Sequence, residues 1–230
     1  MLKRFTWLAA GAATLLSSCS DPKDANKENF KDAINDWIKE HPPCIPVPRG
    51  QITPSQDSGA EFPRYVEATP VTSKFAQESR AREEAPFLAL VDAGLMTVKD
   101  ATIPVRASLF GDGQKQVPVR SYDLSEKGKK IVTAQGDKTA FSSPAQRFCY
   151  GTPTVDEIVQ YTEPADAMGV KVSQVTYRYH LKDLPDWARN EKLKVAYPEL
   201  ERNAAESLDG KAAVILTNEG WVHERASSAR

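Results

Sequence analysis

Two histidines come nearest to acid–base chemistry in this 230-residue chain. His180 and His223 lie in segments patterned like strands, and either could meet Asp156 or Glu163 across a sheet as a proton-transfer pair. The alternative, which the sequence favours, is that both histidines lie on strand faces without a catalytic role. The chain has no GxSxG, P-loop or GxGxxG motif. We therefore expect no catalytic residues, and keep a hydrolase that uses His180 or His223 with a carboxylate as the alternative.

Metal and cofactor chemistry has little support in the sequence. CxxC and HExxH motifs are absent, and His41, His180 and His223 lie far apart without paired spacing. We expect neither a metal nor a cofactor.

Aromatic side chains concentrate after residue 149, and tyrosine and tryptophan outnumber phenylalanine there. Such residues concentrate binding energy in pockets and interfaces, and their polar tips need partners or water. The candidate binding residues are Tyr150, Tyr177, Tyr179, Trp187 and Trp221. The alternative is that these rings form the core between a sheet and its helices.

The N-terminus has the pattern of an export signal. Lys3 and Arg4 precede a mostly apolar stretch over residues 5–16, which is too short to span a bilayer. The next residues, Leu16-Ser17-Ser18-Cys19, resemble a bacterial lipobox: an apolar residue, two small residues and a cysteine. The resemblance to bacterial lipoproteins implies cleavage of a signal peptide over residues 1–18. It also implies a diacylglycerol on the Cys19 thiol and acylation of its new amino group.

The same resemblance implies where the protein is anchored. Two or three acyl chains together give stable membrane attachment, whereas one gives only marginal binding. Retention in the inner membrane of enteric lipoproteins goes with Asp directly after the cysteine, and this chain has Ser20 there. For a Gram-negative source we therefore expect the periplasmic face of the outer membrane. An ordinary secretory signal is the alternative.

Two cysteines remain when Cys19 is lipidated. In an oxidising compartment we expect Cys44 and Cys149 to form one disulfide, with two buried free thiols as the alternative. The closed loop of about 105 residues would contribute ~4–5 kcal/mol by chain entropy. A reactive Cys149 thiol is less well supported, because Arg147 is the only cation near it in sequence.

Helix and loop signals divide the first half of the chain. Apolar residues at helical spacing predict an amphipathic helix over residues 27–40, capped by Asn26 and packed on the domain, after a polar tether over residues 19–27. Seven prolines between residues 42 and 70 predict an extended strap across the core. A second helix is expected over residues 79–93, with Pro86 either starting it or kinking it and Gly94 after its end.

A hairpin follows, with strands over residues 103–110 and 117–122 around Gly111-Asp112-Gly113, and then a short helical turn over residues 124–132. The order from residue 79 to 132, with Ala93-Gly94-Leu95-Met96 and Tyr122-Asp123-Leu124-Ser125-Glu126-Lys127-Gly128, resembles part of a winged-helix unit. That resemblance would imply nucleic-acid binding. The chain departs from the pattern in two respects. The predicted second helix is acidic, and the chain has no obvious recognition helix.

The second half is patterned as an antiparallel sheet with two helical insertions. Strands are predicted over residues 155–161 and 170–181, the latter with a bulge near Ser173-Gln174 because the apolar parity changes there. Short helices are expected from residue 184 and over residues 198–208, before a closing hairpin over residues 212–224. The predicted class is α+β. It comprises a lobe over residues 28–150 and a lobe over residues 151–230, or one domain that joins them.

Composition narrows the function. Removal of residues 1–18, which hold two basic residues and no acidic one, leaves 28 basic and 31 acidic residues, a net charge of −3. A general nucleic-acid binder would normally be basic, and an exported protein does not meet chromosomal DNA. We expect a lipid-anchored binding or accessory protein of the cell envelope, whose partner is an envelope protein or ligand. A purely structural lipoprotein is a third class.

Overall fold

The computed structural model describes residues 21–55, 61–107, 113–135, 144–167 and 169–227. The fold is α+β, with three antiparallel sheets, one of which curls into a half barrel. The lipobox residues and most of the predicted turn at 111–113 lie outside the described residues.

The helical elements are α1 (Lys27–Glu40), α2 (Lys74–Asp92), α3 (Glu126–Ile131), a 3₁₀ helix (Asp186–Arg189), α4 (Glu191–Ala196), α5 (Glu199–Asn203) and α6 (Glu224–Ser227). The strands are β1 (Cys44–Pro46), β2 (Arg64–Glu67), β3 (Met96–Arg106), β4 (Gln114–Leu124), β5 (Val132–Gln135), β6 (Ala145–Cys149), β7 (Thr152–Tyr161), β8 (Ala165–Ala167), β9 (Val170–Lys182), β10 (Leu208–Leu216) and β11 (Trp221–His223).

Helix α1 packs on the largest sheet, whose strand order is β11-β10-β9-β7 with β8 paired to β9. The predicted bounds and cap are confirmed, since the Asn26 side chain accepts a hydrogen bond from the Asn29 amide at 2.9 Å. The helix buries Phe30, Ala33 and Ile34 against the sheet, as its apolar stripe predicts. We call this layer between α1 and the sheet the second core.

The bulge predicted in β9 is wrong. Strand β9 runs in unbroken register with β10 from Val172 to Tyr179, and the register shifts lie in the partner strand β7. The alternation of side chains along β9 makes position 173 face the core, where an apolar residue is expected. Ser173 occupies this position and is buried, and its hydroxyl donates to the Thr162 carbonyl at 2.7 Å. A satisfied hydroxyl can replace an apolar side chain in a core, so the change of parity needs no extra residue.

Helix α1 also closes part of the outer edge of β7. The buried Asn35 side chain accepts from the Val155 amide at 2.9 Å, and Lys31 Nζ donates to the Asp156 carbonyl at 2.8 Å. Both contacts fall where β7 shifts register, so backbone groups that leave the ladder still find partners.

The proline-rich strap joins a small sheet of order β1-β6-β5, none of whose strands was predicted. Cys44 pairs with Cys149 across β1 and β6, and the predicted disulfide joins them. Ile45 and Val47 on the strap are buried, as expected for a strap that crosses the core.

The predicted second helix begins five residues early, at Lys74, and continues through Pro86 without ending. Gly94 follows it with a φ of 72°, the conformation expected of a glycine after a helix end. The hairpin β3–β4 is longer than predicted at its base, and β2 pairs with β4 as a third strand. Helix α3 confirms the short helical turn.

A buried carboxylate joins α2 to this hairpin. Glu84 accepts hydrogen bonds from the Tyr122 hydroxyl at 2.5 Å and from Arg120 Nη1 at 2.9 Å. Burial, followed by the contact with Glu84, raises the pKa of the Tyr122 hydroxyl. The two donors compensate the desolvation of the carboxylate, which would otherwise be costly at this position.

The helical insertion between β9 and β10 differs from the prediction. Helix α5 ends at Asn203 rather than 208, and Leu208 is instead the first residue of β10, which pairs with β9. Helix α4 was not predicted. Its cap residue Asn190 accepts from the Leu193 amide and donates to Asp92, which ties α4 to the end of α2.

The first core lies between α2, the strap and the helical insertion, and its members come from both sides of residue 150. It contains Tyr122 and Phe148 together with Trp187 and Leu193. A third, smaller cluster lies under the far half of the hairpin β3–β4.

Candidate functional site

A groove of about 180 Å³ lies where the first and second cores meet. Strand β9 supplies two tyrosines, the end of α1 supplies an aliphatic residue and a histidine, and α5 supplies an amide. These lining residues are Ile38, His41, Tyr177, Tyr179 and Asn203, with Pro43, Pro153 and Leu181 around them. The lining is mostly apolar and aromatic with few polar groups, which is the usual composition of a binding site.

The position of the Tyr177 ring depends on the absence of a side chain opposite it. Gly210 pairs with Tyr177 across β9 and β10, and a Cβ on Gly210 would lie 2.3 Å from Cζ of the ring. Tyr179 lies next along the same face, with the ring centroids 5.7 Å apart. Burial raises the pKa of the Tyr177 hydroxyl, so it is a neutral hydrogen-bonding group at physiological pH.

A stack of three rings supports the α1 side of the groove. Trp37 stacks with both His41 and His223, with centroid distances of 3.5 Å and 5.3 Å. Nδ1 of His41 also donates to the Trp37 carbonyl at 2.8 Å. His41 therefore presents an oriented imidazole at the groove, although its side chain is exposed.

His223 occupies the inner end of this stack and is only 6 % exposed. Burial lowers the pKa of its imidazole, Glu224 opposes that effect, and Arg225 and His41 add to it. The ring is therefore mainly neutral at pH 7, and its Nδ1 accepts the Arg225 amide at 3.2 Å.

The five candidate binding residues do not form one surface. Tyr177 and Tyr179 line the groove. Tyr150 and Trp187 pack against each other in the first core, and Trp221 packs against Phe30 in the second core. Tyr150 still touches the site indirectly, because its hydroxyl accepts from Asn203 Nδ2 at 2.9 Å.

The structure pairs one of the two candidate acid–base histidines with a carboxylate. Nδ1 of His180 donates to Asp156 at 2.8 Å on a partly exposed face of the β7–β9 hairpin. Glu157 and Arg178 form an ion pair at 2.6 Å on the same two strands. His223 lies in the ring stack instead, on the other side of the sheet.

Cys149 is bonded to Cys44, so it carries no free thiol for nucleophilic chemistry. Among the described residues, no cluster of three or more His, Cys, Asp or Glu side chains could hold a metal ion. No helix in the described part of the chain is long and apolar enough to cross a membrane.

Comparison with protein-family models, curated proteins and solved structures gives no match to this chain.

Of the lining residues of the groove, only Tyr177 and Tyr179 were singled out from the sequence, and the polar residues that were missed are His41 and Asn203. His41 follows Trp37 by four positions, a spacing that brings side chains together on a helix and could have shown their stacking. Asn203 carried no comparable signal, because the predicted helix extended past it and gave it no neighbour in the site.

Proposed function

We propose that this protein is a lipid-anchored binding or accessory protein of the bacterial cell envelope that faces the periplasm from the outer membrane. The lipobox supports the anchor, and the disulfide agrees with an oxidising compartment. The membrane is one partner through the lipid on Cys19, and an envelope protein is the other.

The groove at Tyr177 and Tyr179 carries the binding part of the proposal. Its volume of about 180 Å³ is smaller than the ~300–1,000 Å³ of sites that enclose a whole small molecule. It is better suited to one projecting side chain of a partner protein. Neither tyrosine hydroxyl makes a hydrogen bond to another described residue, so both are available to a polar group of the partner.

Photo-crosslinking in cells tests this binding. Benzoylphenylalanine in place of Tyr179 should give an adduct of defined mass with an envelope protein. The matched control is the same substitution at Phe75, an aromatic residue on α2 that is 74 % exposed and lies outside the groove. Equal adducts at both positions, or none at position 179, would contradict the proposal.

The intact mass of the membrane-extracted protein tests the anchor. We expect an acylated chain from Cys19 to Arg230, with two alkylations that appear only after reduction. A chain that keeps Met1 and has no acyl group would exclude the anchor.

A hydrolase acting on envelope material is the second candidate, and the contact between His180 and Asp156 favours it. An aspartate on Nδ1 orients the imidazole and leaves Nε2 for proton transfer. In this case His180→Ala would abolish release of soluble fragments from purified envelope material, and Tyr179→Ala would not. Binding without hydrolysis predicts the reverse sensitivity, with crosslinking lost in the tyrosine variant alone.

The winged-helix-like description of α2, β3, β4 and α3 remains a proposal, and nucleic-acid binding is its minor functional consequence. The helix–hairpin order supports the description. The use of Glu84 within the fold argues against α2 as a DNA-reading helix, because its carboxylate is committed to Tyr122 and Arg120. Binding of duplex DNA by an unacylated chain would favour this alternative.

A further inference from the structure

The polar residues just after the lipobox are bound to the domain. Asn29 on the first turn of α1 donates through Nδ2 to the carbonyl oxygens of Asp21 at 2.8 Å and of Asp24 at 2.9 Å. Within the segment, the amides of Lys23 and Asp24 both donate to Asp21. A side-chain amide that holds two carbonyls fixes the path of the backbone between them.

The closing hairpin and β7 hold the same segment from another side. Nε1 of Trp221 donates to the Lys23 carbonyl at 3.1 Å, and the Tyr161 hydroxyl donates to the Ala25 carbonyl at 3.4 Å. Pro22 lies against the turn before β11, where a Cβ on Gly220 would come within 3.0 Å of the Pro22 carbonyl oxygen. The chain is therefore attached to the fold from Asp21 onward.

We infer that the lipid holds this domain directly against the bilayer, with the start of α1 and the β10–β11 turn facing the lipid headgroups. This inference rests on the lipid-anchor proposal. Only Cys19 and Ser20 separate the acyl chains from the attached segment, and two residues span at most ~7 Å. The domain therefore has a fixed orientation instead of moving on a long tether.

The orientation places the groove away from the membrane. Ile38 and His41 lie at the far end of α1, and a helix of 14 residues is about 21 Å long. A partner therefore approaches the groove from the aqueous side.

The acyl chains alone supply the attachment in this arrangement. The surface around the bound segment carries acidic residues at Asp21, Asp24 and Glu28 against basic Lys23 and Lys27. Such a surface lacks the excess of lysine and arginine that draws proteins to anionic lipids.

Proteolytic release from vesicles tests the inference. The membrane-extracted protein, with its acylation checked by intact mass, is placed in neutral phosphatidylcholine vesicles and treated with trypsin. Cleavage after Lys23 frees the domain, but a protease needs the chain to open locally first. We expect Asn29→Ala combined with Trp221→Phe to raise the release rate at least tenfold over the natural chain.

The matched control is Asp32→Ala, an exposed change on the same helix away from the segment. It should leave the release rate unchanged. The single change Asn29→Ala should also accelerate release; it removes only a side chain at the helix start, because the capping bond of Asn29 uses its backbone amide. Circular dichroism verifies that each variant is folded.

The possible results distinguish this inference from the lipid-anchor proposal on which it rests. An acylated natural chain that is released as fast as the double variant would overturn the fixed orientation and leave the anchor standing. An unacylated chain would remove both. Paramagnetic lipid headgroups give a second measurement: signal broadening should be strongest at Asn29 and Gly220 and weakest at Tyr179, and the double variant should flatten that gradient.

Discussion

The first and second cores are built in different ways. In the second core the single helix α1 covers one antiparallel sheet. Phe30 makes edge-on contacts with Tyr161 and Trp221, and both centroid distances are 4.9 Å. The first core collects elements from distant parts of the chain, and a disulfide with a sequence separation of 105 closes it. One region is thus maintained mainly by packing, and the other also needs a covalent link.

Removal of the disulfide should therefore have the largest effect on stability, and the effect should be concentrated in the first core. Cys44→Ala with Cys149→Ala should lower the free energy of unfolding by ~4–5 kcal/mol, because the unfolded chain regains the entropy of the open loop. Urea unfolding gives the total. Hydrogen exchange should show lost protection in β1, β5 and β6 while α1 keeps its own. Equal losses of protection in both cores would contradict the difference between them and show that they unfold as a single cooperative unit.

The opposite pattern is expected for the second core. Phe30 is fully buried, and Phe30→Ala should cost ~3–5 kcal/mol through lost transfer energy and a cavity. Exchange should then increase first in α1 and β11. Phe30→Leu is the control and should cost less, because it refills most of the volume. A larger loss of protection around the disulfide than in α1 would count against separate cores.

The buried carboxylate of the first core gives an intermediate effect. Glu84→Gln leaves Arg120 without its charged partner and weakens the hydrogen bond from Tyr122, for a loss of ~1–3 kcal/mol in thermal or urea unfolding. The control is Glu83→Gln at an exposed neighbour on the same helix, which should change stability by less than ~0.5 kcal/mol. Equal effects would show that burial of Glu84 has no energetic consequence.

Acidification should weaken the second core in particular, with the smallest effect of the series. The folded protein holds the pKa of His223 below its usual value of 6.5, so the unfolded chain binds the proton more readily. The free energy of unfolding should therefore decrease as the pH falls below about 6.5. His223→Phe keeps a ring on Trp37 and should reduce that decrease. An unchanged pH profile in this variant would assign the effect to other groups.

The two cores also differ in how far the sequence predicts them. Local periodicity predicted α1 to the residue, and it predicted the presence but not the exact bounds of β9 and the closing hairpin, because each pattern is contained in one segment. Strands β1, β5 and β6 were missed because they are only three to five residues long and pair with distant partners. Helix α5 was predicted too long, since Leu208, the last residue of the predicted stripe, begins β10 and pairs with β9 instead.

The candidate site shows the same limit. Of the five candidate binding residues, Tyr177 and Tyr179 line the groove. Nothing in the local pattern distinguished them from Tyr150, Trp187 and Trp221, which are enclosed by elements far away in sequence. The contact of His180 with Asp156 could be anticipated from strand pairing. The binding of Asp21–Ala25 to the domain could not, because it depends on side chains of Asn29, Tyr161 and Trp221 that meet only in the folded chain.

The contacts of Asn35 and Lys31 with the edge of β7 have a further consequence for self-association. An open strand edge is a template on which a second molecule can add its own strand. Asn35 and Lys31 occupy the Val155 amide and the Asp156 carbonyl at that edge. A neighbouring molecule therefore finds two of its pairing positions already filled, which makes this part of the edge a poorer template for strand addition.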